Sequence, residues 1–213
     1  MYVDSHQHFW KLSRGDYSWM TPDMKKLYKD FFPSDLEPLI KEKNISKTII
    51  VQAADTVAET EFTLKLAEDN EFVAGVVGWV DLESTKTKDT IDKLCESKFF
   101  KGVRPMIHDI ANDEWMLQDN INDNINFLAT KNLTFDALVR PQHLKHLIKF
   151  AQKFDFLPIV IDHIAKPKIL NSEIDEWKKD MQALSGYQNV FCKFSGVLTE
   201  VGEDYSKTQI EPY

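Results

Sequence analysis

Short apolar runs alternate along this chain with stretches whose apolar residues recur every three or four positions, the pattern of buried strands interleaved with amphipathic helices. The runs at 2–4, 48–52, 73–80, 102–104, 134–139, 157–162 and 190–193 are rich in Val, Ile and Phe and mostly lack polar alternation, so they predict strands covered on both faces. Between them, Ala58, Phe62 and Leu66 share a helical stripe, as do Ile91, Leu94 and Cys95, and Ile121, Ile125 and Leu128. Later stripes are Leu144, Leu147, Ile148, Ala151 and Phe154, then Ile174, Trp177, Met181 and Leu184. Ser34 with Glu37 and Ser172 with Asp175 have the spacing of N-terminal capping boxes.

Strands that alternate with helices predict an α/β protein with a parallel sheet, either a doubly wound open sheet or a TIM-type (β/α)8 barrel. The chain has seven glycines, and none forms a G-x-G-x-x-G or G-x-x-x-x-G-K-[ST] loop after a strand, which removes the main support for a nucleotide-binding open sheet. The barrel therefore leads. Such barrels take about 250 residues, whereas this chain has 213 residues and seven strand candidates. The expectation is a single domain, 1–213, whose barrel lacks its eighth strand and last helix. Open barrel edges then predict self-association.

Composition narrows the partners. With 26 basic and 34 acidic residues the formal charge is −8, which repels a phosphate backbone and argues against nucleic acid. The longest nearly apolar run, 72–80, is far short of the roughly 18 residues a membrane span needs. The first residues lack the basic and then apolar segments of a secretory signal. Cys95 and Cys192 have no paired spacing, which fits a reducing compartment, so the expectation is a cytoplasmic protein.

The chemistry-bearing residues gather at the ends of the predicted strands. His6 and His8 close the first strand in a His-x-His spacing that points both rings to one side, where they can meet one ion or substrate atom, or simply lie in a surface loop. His163 follows the strand at 157–162 and can face the same mouth, since barrel active sites collect at the C-terminal strand ends. Arg104, Arg140 and Lys193 end three further strands, where cations either hold substrate carboxylates or pair with local acids. Asp136 and Asp162 lie in apolar strands, where a carboxylate requires a partner. His108 is expected in a loop, His143 and His146 on solvent, and Trp10, Tyr17, Trp19 and Tyr28 either as a pocket roof or as packing aromatics.

Five segments, Asp4-Ser5-His6-Gln7-His8-Phe9-Trp10, Gly75-Val76-Val77-Gly78-Trp79-Val80-Asp81-Leu82, Lys101-Gly102-Val103-Arg104-Pro105-Met106, Ile161-Asp162-His163-Ile164-Ala165-Lys166-Pro167 and Cys192-Lys193-Phe194-Ser195-Gly196, give the chain a specific resemblance. Together they resemble the TIM-barrel hydrolases of the amidohydrolase superfamily, in the branch of L-fuconolactonase and 2-pyrone-4,6-dicarboxylate lactonase. The resemblance implies hydrolysis of a lactone of a sugar acid or a related carboxylic lactone. It places His6, His8 and His163 around the attacked carbonyl or a divalent metal such as zinc, and Arg104, Lys193, Arg140 and Trp79 on the substrate. Members of the branch differ in metal use, so a metal-independent reaction stays open. The family's catalytic aspartate, in a Gly-Ser-Asp-Trp-Pro-like segment at the eighth strand, has no match in these residues, and its role as general base passes to none of them. The competing expectations are a decarboxylase or other hydrolase of the same fold, and an inactive fragment or pseudoenzyme.

Overall fold

A computed structural model describes residues 2–213, and the chain clusters into two compact units, one ending at Arg104 and one starting at Pro105. The first unit runs β1 (Tyr2–Gln7), α1 (Pro33–Glu42), β2 (Ile45–Val51), α2 (Val57–Asp69), β3 (Val73–Gly78), α3 (Thr87–Leu94) and β4 (Phe100–Val103). Its strands pair in parallel in chain order, β1 with β2, β2 with β3 and β3 with β4. Ile50, Val51, Val76, Val77, Ile91 and Val103 are buried between sheet and helices, as continuous apolar runs in a sheet covered on both faces should be. The β1–β2 register is irregular between Asp4 and Gln7, the kind of local departure that re-aims side chains beside functional sites.

The second unit runs α4 (Asn122–Thr130), β5 (Thr134–Ala137), α5 (Leu144–Lys153), β6 (Ile159–Ile161), α6 (Asp175–Leu184), β7 (Val190–Cys192) and the short α7 (Lys207–Ile210). Again the strands are parallel neighbours, β5 with β6 and β6 with β7. Phe135 on β5 meets Phe150 of α5 at a ring separation of 4.7 Å, and Phe150 meets Phe154 at 4.8 Å. Leu144, Leu147 and Ala151 complete the buried stripe of α5, in keeping with its apolar periodicity. All seven expected strands are present.

Several local expectations change. The buried face of α2 is Glu59, Thr60, Thr63, Leu64 and Ala67, while Ala58 is exposed and Phe62 and Leu66 are only half-buried. Polar atoms decide that face. Thr60 Oγ1 accepts the Trp79 N–H at 2.8 Å and Glu59 accepts the Ala53 N–H at 3.1 Å, so the helix turns its hydrogen-bonding side toward the ends of β2 and β3. Gly78 makes the approach to α2 feasible, since a Cβ there would lie 2.2 Å from the Thr60 methyl.

The start of α1 is Pro33, with the Asp35 carboxylate accepting the Phe32 N–H at 2.7 Å in place of the expected Ser34–Glu37 box. Ser172 ends a 3-10 turn in the left-handed region rather than capping α6. His143 and His146 are buried, not solvent-facing. A loop acid meets each of them, Asp113 against His143 Nε2 at 3.0 Å and Glu114 against His146 Nδ1 at 3.4 Å. Among the described residues no helix is long and apolar enough to cross a membrane.

Phe150 has no exposed surface and joins both neighbouring rings. Phe150→Ala is expected to destabilise the protein by about 3–5 kcal/mol, measured as a lowered urea midpoint with an unchanged slope.

Candidate active site

In the first unit the chemistry starts where β1 ends. His8 Nδ1 lies 2.8 Å from the Val51 carbonyl, and because a carbonyl can only accept, that nitrogen carries the proton. The lone pair of His8 is therefore on Nε2. It faces His6 Nε2 at 3.2 Å, with the two rings nearly perpendicular at 80°. Two imidazole nitrogens bound to one tetrahedral zinc at their usual bond lengths lie about 3.3 Å apart, so this donor pair fits a zinc ion.

Arg104 and Gln52 brace the ends of β4 and β2 reciprocally. The Arg104 guanidinium donates to the Gln52 carbonyl, and the Gln52 side-chain amide donates to the Arg104 carbonyl at 3.0 Å. The Arg104 N–H also reaches the Gly78 carbonyl at 2.8 Å. Trp79 follows β3, half-buried, its backbone held at both ends by the Thr60 hydroxyl.

The aromatic segment after β1 folds over the end of β2. Trp10 stacks edge-on with Trp19 and Phe31, and Trp10, Tyr17 and Met20 bury themselves with Ala53 and Ala54. Trp19 Nε1 donates to the Ala53 carbonyl at 2.7 Å. Tyr28 stays exposed. Beneath this roof Glu59 is fully buried, and burial pushes its carboxyl up to about 8, against the opposing Ala53 N–H. Asp16, which accepts from Arg14 at 2.6 Å and from Thr56 Oγ1 at 3.0 Å, raises it further.

In the second unit, Asp136 on β5 and Asp162 just past β6 are both buried. The Lys193 ammonium, just past β7, lies 2.5 Å from Asp136 and 3.0 Å from Asp162, and the Thr134 hydroxyl donates to the second oxygen of Asp136 at 2.7 Å. Burial raises the Asp136 carboxyl above its ordinary range and the Lys193 charge opposes that rise. Arg140 ends up half-buried beyond β5, its N–H donating to His143 Nδ1 at 3.0 Å. That bond leaves the His143 proton on Nε2, facing Asp113, and burial lowers the His143 pKa.

His163 opens a turn that apolar periodicity does not announce. His163, Ile164, Ala165 and Lys166 are four successive residues with positive φ, from 46° to 60°, and an L-residue helix of that hand costs roughly 1–2 kcal/mol per residue. Its surroundings hold it. Ile164 N–H donates to the Lys193 carbonyl at 3.1 Å, Lys166 N–H to the His163 carbonyl at 2.8 Å, and Trp177 Nε1 to the Ile164 carbonyl at 2.7 Å. The Lys166 ammonium pairs with Glu200.

Each unit thus places its predicted residues at C-terminal strand ends: His6, His8, Trp79 and Arg104 in the first, Arg140, His163 and Lys193 in the second. Glu59 and Gln52 escaped the sequence reading. For Glu59 a signal existed, because Thr56-Val57-Ala58-Glu59 has capping-box spacing and Thr56 Oγ1 does accept the Glu59 N–H at 3.0 Å. Gln52 had none, since nothing in its neighbours marks an amide as buried.

The model of the family described as Amidohydrolase matches residues 3–212. The chain belongs to the amidohydrolase family. It is 40% identical over 211 residues to an L-fucono-1,5-lactonase of Burkholderia ambifaria, an alignment covering 99% of this chain and 73% of the relative. It is 31% identical over 204 residues to an L-fucono-1,5-lactonase of Burkholderia multivorans, covering 93% of this chain and 69% of that one. An amidohydrolase of B. multivorans, solved once with bound HEPES and once with bound zinc, is 28% identical and superposes with TM-scores of 0.92 and 0.91, covering 100% of this chain and 76% of that chain. This amidohydrolase therefore has the α/β TIM-type fold, with seven parallel strands and no eighth among the described residues.

Glu59 gives the site region a pH signature. A carboxyl held up to about 8 in the fold but titrating near 4.3 unfolded loses stability as pH rises between those values, by about 1.4 kcal/mol per unit. Glu59→Gln is expected to flatten this dependence, so that wild type and variant diverge in urea midpoint across pH 5 to about 8; parallel curves would show that Glu59 is ionised in the fold.

Proposed function

We propose that this amidohydrolase opens the ring of a sugar-acid lactone by hydrolysis, with His6, His8 and His163 around the attacked carbonyl. The observation that carries the reading is the His6–His8 pair, whose Nε2 atoms face one another at 3.2 Å with the His8 tautomer fixed by Val51. The L-fucono-1,5-lactonase relatives at 40% and 31% identity support the substrate class. In this reading the 1–213 chain acts as one barrel domain.

His6 and His8, with His163 as the further expected ligand, would hold a zinc ion, and the zinc-bound B. multivorans structure supports that choice of metal. Zinc bound there supplies Lewis-acid polarisation of the lactone carbonyl oxygen. The remaining tasks fall to the chain. Arg104, braced through Gln52, and Arg140 hold the negatively charged oxygens of the substrate, while Trp79 offers an aromatic edge to the sugar ring. Lys193, shared between Asp136 and Asp162, lends positive charge to the substrate. We place the protein in the cytoplasm, where the thiols of Cys95 and Cys192, which form no disulfide, stay reduced.

The decisive experiment is proton release from a panel of aldonolactones that includes L-fucono-1,5-lactone, with and without zinc. Opening of at least one lactone is expected, and His163→Asn should lower it by more than the roughly 10- to 100-fold that loss of an outer-shell partner costs. His6→Asn and His8→Asn should each reduce the zinc retained after dialysis. Carbon dioxide release from carboxylated substrates, without lactone opening, would replace the reading with a decarboxylase. A panel inert both for this chain and for the chain extended by the stretch its relatives add would overturn it.

The exposed Tyr2 and Val3 on β1, and Phe191 on β7, support self-association through strand edges. Light scattering at micromolar concentration should give a mass above 24.8 kDa; a monodisperse monomer would refute this.

A further inference from the structure

The left-handed turn fixes the backbone of His163 but does not by itself choose which ring nitrogen faces the substrate. Two residues beyond β7 touch the ring. Ser195 Oγ lies 2.9 Å from His163 Nδ1. Gly196 lies flat against the same ring, where a Cβ would come within 2.7 Å of Cγ and Nδ1 and 2.9 Å of the His163 Cβ. Neither residue floats. Lys193 N–H is bonded to the Ile161 carbonyl at 2.9 Å, continuing the register of β6 with β7, and the Gly196 carbonyl accepts the Thr199 hydroxyl at 2.7 Å and the Thr199 N–H at 3.1 Å. The hydroxyl and the gap are therefore delivered to the imidazole by backbone bonded on both sides of them.

We propose that Ser195 and Gly196 form the positioning pair for His163: the Ser195 hydroxyl oxygen accepts a hydrogen bond from Nδ1–H, which keeps the proton on Nδ1 and the lone pair on Nε2 for the ligand, and Gly196 leaves the space in which the ring lies. The proposal rests on the reading of His163 as a residue of the lactone-opening site. A serine hydroxyl both donates and accepts, so the bond alone permits either tautomer. Only the Nδ1–H form gives Nε2 an available lone pair, and fixing a ligand's tautomer through its other nitrogen is how outer partners act on metal-binding histidines. Gly196 also has φ +65°, so alanine there would meet both the ring and an unfavourable backbone conformation.

The test reads the tautomer directly. Long-range 15N–1H correlation on the full chain labelled with 15N-histidine, at about pH 8 where histidine is ordinarily neutral, is expected to show His163 as the Nδ1–H form. Ser195→Ala should move it toward the Nε2–H form that a free imidazole prefers, and Ser195→Thr, which keeps a hydroxyl, should restore the first. In turnover, Ser195→Ala should lower kcat by roughly 10- to 100-fold with little change in KM, again recovered by threonine. Gly196→Ala should weaken zinc binding over the same range. A wild-type His163 with its proton on Nε2, or a tautomer unchanged in Ser195→Ala, would overturn the proposal. Because the spectrum needs no substrate, an inert lactone panel beside the expected tautomer would sink the functional reading and leave the positioning pair standing.

Discussion

Two buried carboxylates, Asp136 and Asp162, meet one ammonium, that of Lys193. Removing charges from water costs several kcal/mol for each ion unless the geometry returns it, so the ends of β5 and β6 and the residue after β7 cannot relax independently. The same lysine also works through its main chain. Its N–H extends the ladder to Ile161, and its carbonyl receives the Ile164 N–H from inside the left-handed turn. One residue thus holds both acids and the backbone that carries His163.

The first unit also meets buried polar side chains with backbone groups. Arg104 sits buried against the Gln52 carbonyl, and Glu59 against the Ala53 N–H. Parallel strands leave their last amides and carbonyls without ladder partners, and buried polar groups must be hydrogen-bonded somewhere. Charged and amide side chains from the next strand or helix take up that demand. Chemistry collects at these ends partly because the backbone there already requires polar company.

How much of this was legible in the sequence follows from the kind of force involved. The seven strands were readable because burial on both faces demands unbroken runs of Val, Ile and Phe, and so was the placement of His6, His8, Arg104, Arg140, His163 and Lys193 at strand ends. The face of α2 was not, because Glu59 and Thr60 are buried for their hydrogen bonds and apolar periodicity ranks them as solvent-facing. His143 and His146 misled for the same reason, their partners Asp113 and Glu114 being about thirty residues away. The turn at 163–166 contains no glycine, and Ile164 is a residue that local propensity places far from positive φ. Its conformation is imposed by Lys193, Trp177 and Glu200, none of which is near it in sequence.

That dependence gives the turn a place in time. The residues that hold His163 in its unfavourable backbone come 14 to 37 positions later in the chain, from Trp177 through Glu200. While the polypeptide is still being made, the stretch from His163 to Lys166 has no reason to leave the ordinary right-handed or extended regions, and the imidazole it carries has no fixed direction. Alignment of this histidine consequently waits for β7 and the residues after it, so a nascent chain that ends before Glu200 carries this imidazole unaligned.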